Sequence, residues 1–447
     1  MILLPKACLA FIGLFLQCQA YPSPLSYDEP SELGKRGAEP IQEWTGMGDS
    51  YASGVGAGPQ PPDDTNRCFR FPQAYPVVVQ AGLYPVPSKF HHVACSGNVF
   101  KEIKEKELLD KPLPDGNNGI RPVWGTAPEF VTITMGGNDI GILNLIATCI
   151  LSLKLWGLDC EGVIKYGHDT INSQVFKDDL NSLVQAIVDK GRGTKVGDKF
   201  KVFIVGYAQF FNQETTQCNK VTFKSYWNPM PSQYLTVERR KAMNGLALHL
   251  NKALSEAADR FKDKGVYWVD YDKDFDGHRF CDREEPRPND PDTYFSNYYT
   301  TDDPKMEVAQ RITKKLPVYQ ASIQGKTDVA LKTDKDYINA LADAAKDDPH
   351  AESFLSDTVR MFHPTTRGHE KIRDVVLKAL NDNGIPTGKS AEQHPAPQPP
   401  KCHGVGGDTW MLSRDQAVSA AEQFCKQDHK DSEYVPHPRN LPNSSSL

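Results

Sequence analysis

The chain contains no Gly-x-Ser-x-Gly pentapeptide among its 447 residues. The nucleophile elbow of α/β-hydrolases is therefore absent. A surplus of positive charge is also lacking, since 51 lysines and arginines stand against 57 acidic residues and the formal net charge is −6. This mild acidity argues against a nucleic-acid partner. After residue 20 no stretch is long and apolar enough to span a bilayer, so we expect no integral membrane association.

The N-terminal residues have the features of an export signal. Lys6 precedes an apolar segment from Ala7 to Leu16, and Cys18-Gln-Ala20 is a small-residue cleavage site. The segment is too short to cross a membrane, which predicts a secretory signal peptide at 1–20. Residues 21–36 are proline-rich and end in Lys35-Arg36. We interpret them as a possible pro-segment, with a plain flexible N-terminus as the alternative, and expect the mature protein to be secreted and extracellular.

The most informative stretch is Trp44-Thr-Gly-Met-Gly-Asp-Ser-Tyr-Ala-Ser-Gly54. An apolar run from Ile41 to Met47 predicts a buried first strand, and the glycines at 46 and 48 allow a sharp exit from it. A serine at the carboxyl end of such a strand lies where open α/β sheets bind their ligands. We therefore interpret Ser50 as a nucleophile, the alternative being an ordinary helix N-cap.

Two later stretches contain residues that could act with Ser50. Val131-Thr-Ile-Thr-Met-Gly-Gly-Asn-Asp139 is a β-branched run that ends in glycines and polar residues, as expected of a core strand that delivers polar groups to the same sheet edge. Phe362-His-Pro-Thr-Thr-Arg-Gly-His-Glu370 has a histidine before a proline turn and an amphipathic helix. His363 is the candidate general base.

Taken together, these motifs resemble the SGNH hydrolase family, also called GDSL esterases and lipases, over residues 41–385. Ala94-Cys-Ser-Gly97 stands where that family has its second conserved block. The resemblance implies hydrolysis of carboxylic ester bonds through an acyl-enzyme on Ser50, with His363 as base and no cofactor. It also implies an oxyanion hole formed by the backbone N–H groups of Ser50 and Gly97 and the side-chain amide of Asn138.

The third member of the catalytic triad is missing from its usual place. Members of the family usually carry Asp three residues before the histidine, where this chain has Arg360. Some members use a backbone carbonyl instead, so the carbonyl of Arg360 could orient His363, with Asp357 as a second candidate. We therefore predict a Ser-His dyad.

Strand and helix patterns alternate through the central part of the chain, which predicts right-handed crossovers and a parallel sheet. The family resemblance implies a flavodoxin-like three-layer α/β/α sandwich with a central, mostly parallel five-stranded sheet.

We expect this domain at 37–385. It contains a charged insertion at about 282–355, which forms either a lid or acyl-binding wall, or a surface excursion. A proline-rich linker at 386–401 and a small disulfide-closed segment and tail at 402–447 follow. That segment resembles the ends of secreted fungal hydrolases, which suggests a fungal-type member. The predicted strands are Ile41–Met47, Phe90–Ala94, the run before Gly136, Lys201–Tyr207 and Val266–Asp270; the predicted helices are Asn98–Leu108, Asp169–Lys190, Leu235–Lys264 and Arg367–Leu380.

Eight of the ten cysteines remain after signal removal, and an even number in an exported chain predicts disulfides. Chain order and the family resemblance favour pairing between neighbours. The expected disulfide pairs are Cys68 with Cys95, Cys149 with Cys160, Cys218 with Cys281, and Cys402 with Cys425.

Asn443 is in the only N-glycosylation sequon of the sequence.

No metal site is predicted. Asp272-Lys-Asp-Phe-Asp-Gly277 matches the first half of a calcium loop, but Arg283 occupies the twelfth position, where a bidentate Glu belongs. We favour a structural turn there. His91 and His92 should point to opposite faces of a strand and so do not form a zinc pair.

Two classes of function remain open. The first is an esterase or lipase, for which lipids, phospholipids, short esters and acylated carbohydrates are all candidate substrates. The second is a non-catalytic secreted binding protein on a degenerate scaffold of the same family, which the missing Asp would favour. We expect a monomer.

Overall fold

The computed structural model describes residues 40–58, 68–112, 122–150, 159–220, 234–282, 292–296 and 360–388. It also describes four short strands at 114–115, 119–120, 401–403 and 409–411, and positions 315, 340, 343 and 344. One unit of the chain spans residues 30–390, and a second comprises 1–29 and 391–447.

The centre of the first unit is a five-stranded sheet in which all described pairings are parallel. Its spatial order is β2-β1-β3-β4-β5, the order of flavodoxin-like folds. Every residue of β1 and β3 is buried, as expected for central strands covered on both faces. The strands are β1 (Glu43–Gly48), β2 (Lys89–His92), β3 (Phe130–Thr134), β4 (Lys201–Val205) and β5 (Val266–Val269).

Helices cover both faces of this sheet. The helices are α1 (Ser50–Ser53), α2 (Tyr75–Gly82), α3 (Phe100–Lys106), α4 (Ile142–Cys149), α5 (Cys160–Asn172), α6 (Gln174–Arg192), α7 (Val237–Arg260) and α8 (Thr366–Asp382). In one layer α2 packs on α8, and in the other α3, α5, α6 and α7 pack on one another. The three-layer α/β/α arrangement is thereby confirmed. Short 3-10 turns occur at Gly197–Lys199, Gln217–Lys220, Lys262–Lys264 and Asp272–Phe275.

The boundaries of the predicted elements agree with the structure to within a few residues, with one exception, whereas the helices α2 and α4 were not predicted. The helix predicted over Asp169–Lys190 is two helices, because the backbone of Ser173 is extended (φ −65°, ψ 149°). The hydroxyl of Ser173 accepts the N–H of Phe176 and caps the start of α6. Ser173 therefore ends α5 and caps α6, although the apolar periodicity of the sequence continues through this position.

Three of the four predicted disulfides are present, and they join Cys68 to Cys95, Cys149 to Cys160, and Cys218 to Cys281.

Within the second unit the described residues form an antiparallel hairpin of Lys401–His403 with Thr409–Met411. A second small hairpin, in the first unit, pairs Pro114–Asp115 with Gly119–Ile120. The signal peptide, the pro-segment, most of the linker, the Cys402–Cys425 bridge and Asn443 lie outside the residues described in full. Among the described residues no helix has the length and apolar character needed to cross a membrane.

Candidate active site

Ser50 lies two residues beyond the carboxyl end of β1, at the position where the strand order reverses between β1 and β3. Gly48 has φ +121°, and a Cβ there would lie 2.0 Å from the carbonyl oxygen of Thr134, so only glycine fits this exit. Asp49 is the N-cap of α1, and its carboxylate accepts the N–H of Tyr51 at 3.0 Å. The N-cap expected as the alternative role is thus taken by Asp49, and Ser50 is the first residue of the helix.

His363 lies on a turn that pairs with part of the region predicted as an insertion. The Ser296 N–H donates to the carbonyl of His363 at 2.8 Å, and the Phe362 N–H donates to the carbonyl of Ser296 at 2.9 Å. Phe362 adopts the left-handed conformation with φ +61° and is buried in an aromatic cluster with Phe295. Tyr294 is also buried, and its carbonyl accepts the backbone N–H of Thr365 at 2.8 Å, so this part of the predicted insertion supports the histidine turn.

The imidazole of His363 contacts the hydroxyl of Ser50. Nε2 lies 2.7 Å from Oγ of Ser50, which is hydrogen-bond distance. Nδ1 lies 3.1 Å from the carbonyl oxygen of Met361, so the tautomer in which Nδ1 carries the proton places Nε2 as an acceptor for the serine hydroxyl.

The expected acceptor, the carbonyl of Arg360, makes a different contact. It accepts the backbone N–H of His363 at 2.9 Å, and the imidazole faces the carbonyl one residue later. The expectation about Arg360 was therefore wrong by one residue, because the positive φ of Phe362 turns the chain between Met361 and His363. Asp357 lies outside the described residues.

Arg360 contributes its side chain to a different contact. Its guanidinium donates to the carbonyl of Gly58 at 3.2 Å and lies 5.0 Å above the ring of Phe71. Both partners belong to the loop that follows α1. Arg360 therefore joins the histidine turn to the loop after the nucleophile.

The predicted oxyanion residues lie on the two loops that flank Ser50. Gly97 has φ +82°, and the backbone N–H of the neighbouring Cys95 donates to the carbonyl of Gly48 at 2.9 Å. The side-chain Nδ2 of Asn138 donates to the carbonyl of Asn98 at 2.9 Å. An amide nitrogen carries two hydrogens, so this bond fixes the group and leaves it a second donor.

Two buried carboxyl groups lie behind these loops. Burial raises the pKa of Asp49 to about 7, although hydrogen bonds from Tyr207 and from the Tyr51 backbone oppose the shift. Burial also raises the pKa of Glu107 well above its usual range, and the N–H of Gly48 and the amide of Asn98 donate to its two oxygens.

Sequence reasoning missed Glu107, Tyr51 and Tyr207. The hydroxyl of Tyr51 donates to the carbonyl of Phe362 at 2.8 Å, and that of Tyr207 accepts the N–H of Gly137 at 3.1 Å. Glu107 ends a charged helix in which acidic and basic residues alternate, so its burial has no local signal. The position of Tyr51 next to Ser50 was the only available hint.

The candidate calcium turn is held by side chains of the protein. Asp272 accepts the backbone N–H of Gln209 at 2.7 Å and forms an ion pair with Arg279 at 2.9 Å. His91 contacts Glu43 at 3.1 Å, whereas His92 contacts the carbonyl of Ala52 at 2.9 Å, so the two rings point apart. The described part of the chain contains no group of three or more residues that could hold a metal ion.

A three-layer α/β ester hydrolase is the class of protein that this fold and site define. A family model described as the GDSL-like lipase/acylhydrolase family matches residues 47–297, more than half of the chain. The chain therefore belongs to this family. The matched span includes Ser50, Gly97 and Asn138 and ends before His363.

Individual relatives are similar over about half of the chain. Lipase 1 of Streptomyces coelicolor is 28% identical over 238 residues, which cover 53% of this chain and 72% of that protein. A lipase of Streptomyces rimosus is 26% identical over 239 residues, or 54% of this chain and 73% of that protein. Among solved structures, phospholipase A1 from Streptomyces albidoflavus NA297 has a TM-score of 0.42 at 25% identity, over 59% of this chain and 90% of that one. These relatives are bacterial, and the expectation of a fungal-type member is not confirmed.

Proposed function

We propose that this protein is a secreted serine esterase that hydrolyses carboxylic esters through an acyl-enzyme on Ser50. The observation that carries the proposal is the 2.7 Å contact between Nε2 of His363 and Oγ of Ser50. A degenerate binding protein has no need to keep these two groups in contact, so the contact favours the enzyme over the non-catalytic alternative. The disulfides, together with the predicted signal peptide, support secretion.

The proposed reaction has two steps. In the first, Oγ of Ser50 attacks the ester carbonyl, His363 takes the hydroxyl proton and then gives it to the leaving alkoxide, and an acyl-serine remains. In the second, His363 takes a proton from water, the hydroxide attacks the acyl-serine, and the returning proton restores Ser50 as the acid departs. In both steps the carbonyl of Met361 accepts a hydrogen bond from Nδ1–H of His363 and so keeps Nε2 facing the serine.

The negative oxygen that develops in both steps needs preorganised donors. We assign this role to the backbone N–H groups of Ser50 and Gly97 and to the amide of Asn138. Support comes from their position on the loops that flank the nucleophile and from the bond that fixes the Asn138 amide to Asn98. Removing one donor of this kind typically lowers kcat about 10²–10³-fold.

For the substrate we favour acyl esters of lipids over acylated carbohydrates. This choice rests on the family description and on the two Streptomyces relatives, both of which are described as lipases. The tail glycosylation at Asn443 and a monomeric state remain predictions.

The test is hydrolysis of p-nitrophenyl esters from acetate to palmitate, with protein secreted from an oxidising compartment so that its disulfides form. Ser50→Ala should lower kcat at least about 10³-fold and abolish labelling by a serine-directed fluorophosphonate. Ser182→Ala, which changes a serine on α6, is the matched control and should retain both. Wild-type protein that is neither active nor labelled would refute the proposal and restore the binding-protein alternative.

A further inference from the structure

Glu107 is a buried acidic group behind the active site to which the proposed mechanism assigns no role. It follows the last residue of α3, and its side chain is fully enclosed, with 0% exposure. Oε2 accepts the backbone N–H of Gly48 at 2.7 Å, and Oε1 accepts Nδ2 of Asn98 at 2.6 Å. One carboxyl group thus ties the end of β1 to the loop that carries Gly97.

The contacts continue from Asn98 to the third oxyanion element. The backbone carbonyl of Asn98 accepts Nδ2 of Asn138 at 2.9 Å, and the Asn98 N–H donates to the carbonyl of Cys95 at 3.2 Å. Gly48 is two residues before Ser50, and Asn98 directly follows Gly97. Each proposed oxyanion donor is therefore close to a residue that is hydrogen-bonded to Glu107. Ser50 is close to Gly48 in the chain and Gly97 is next to Asn98, while Asn138 is hydrogen-bonded to Asn98.

We propose that Glu107 is a positioning residue that sets the geometry of the oxyanion hole from behind. This inference rests on the proposed esterase function, because it concerns the donors used in that reaction. Displacements well below 1 Å of such donors weaken the stabilisation of the transition state, since the donors act only at hydrogen-bond distance from the developing charge.

The charge state of Glu107 fits this role. A fixed negative charge behind the hole would repel the developing oxyanion, whereas a neutral carboxyl group can hold the same donors without that repulsion. Complete burial raises the pKa of this group and so shifts it toward the neutral form, although the hydrogen bonds from Gly48 and Asn98 oppose that shift.

The substitutions Glu107→Ala and Glu107→Gln separate positioning from simple folding. Glu107→Ala should lower kcat about 10–100-fold and change KM for a short soluble ester by less than about twofold, because the donors act in the transition state. Glu107→Gln should restore most of kcat. Its oxygen can accept from Gly48. Nδ2 of Asn98 now faces position 107, so the Asn98 amide must turn over by 180° for the glutamine amide to donate to Oδ1 of Asn98, a buried atom with no hydrogen-bond partner among the described residues.

Glu43 provides the matched control, since it is another buried glutamate bound to a backbone N–H, at the amino end of β1. Glu43→Ala should lower the melting temperature and leave kcat unchanged. If Glu107→Ala lowers only the melting temperature, as Glu43→Ala does, the positioning role is wrong. Should Glu107→Ala not fold, Asn98→Ala breaks the same link from its other end and carries the same prediction for kcat.

A double-mutant cycle with Asn138→Ala tests the path of the effect. If Glu107 acts through the oxyanion donors, the double variant should lose clearly less activity than the product of the two single losses. Independent, multiplicative losses would overturn the inference while the proposed function stands. Failure of the proposed function itself is recognised separately, because wild-type protein would then be inactive and Ser50 unlabelled, and the inference would fall with it.

Discussion

His369 lies in the first turn of α8, six residues after His363, and is fully buried. Its Nδ1 accepts the backbone N–H of Tyr75 at 3.1 Å, which joins the start of α8 to the start of α2. The pKa of His369 is lowered from 6.5 to about 3, mainly by burial and to a smaller extent by the nearby His363. The folded protein therefore keeps this imidazole neutral over a range in which the unfolded chain is protonated.

The sign and size of the effect follow from proton linkage. Between pH 6.5 and pH 4 the unfolded state binds one more proton at His369 than the folded state does, so the free energy of unfolding falls as the pH falls. Over these 2.5 pH units, at about 1.36 kcal/mol per unit, the loss is about 3 kcal/mol. Asp49 acts in the opposite direction. Its raised pKa of about 7 means that the folded state binds the extra proton between pH 4 and pH 7.

The variant His369→Asn isolates this contribution. Asparagine can still accept the N–H of Tyr75 but does not titrate, so the Asp49 effect is common to both proteins and cancels in the comparison. Guanidinium unfolding at pH 7 and pH 4 should show that wild type loses about 3 kcal/mol more than the variant does on acidification. Parallel pH profiles for the two proteins would refute the linkage argument.

Two further predictions concern residues around Ser50. Gly54→Ala should lower stability by about 1–3 kcal/mol more than Gly384→Ala in thermal unfolding. Both glycines have positive φ, but a Cβ at Gly54 would lie 2.2 Å from Cβ of Ala74, whereas nothing lies within 4 Å at Gly384; equal losses would contradict this. Tyr51→Phe removes the hydroxyl bond to the Phe362 carbonyl, worth about 1 kcal/mol, and should lower kcat roughly fivefold without preventing fluorophosphonate labelling. An unchanged kcat would show that the histidine turn does not depend on this bond.

The strands, the helix faces and the order of the motifs could be predicted from the sequence because they depend on local patterns. The β-branched run before Gly136 and the apolar run before Gly48 are both buried strands that end at the same sheet edge. Three disulfides also followed from chain order and family resemblance. The pattern could not show the break at Ser173, since a side-chain cap competes with helix continuation without changing the hydrophobic period.

The sequence alone determined the chemistry available to this protein: a serine after a buried strand, a histidine before a late helix, and no acid at position 360. Only the tertiary structure decided which group faces each atom of that histidine, because contacts between Ser50 and His363 span 313 positions of the chain. The same holds for Glu107, whose burial depends on strands and loops distant in sequence. A glutamate at the end of a helix rich in charged residues carries no local sign of its partners, and only the packed fold gives Glu107 hydrogen bonds to Gly48 and Asn98.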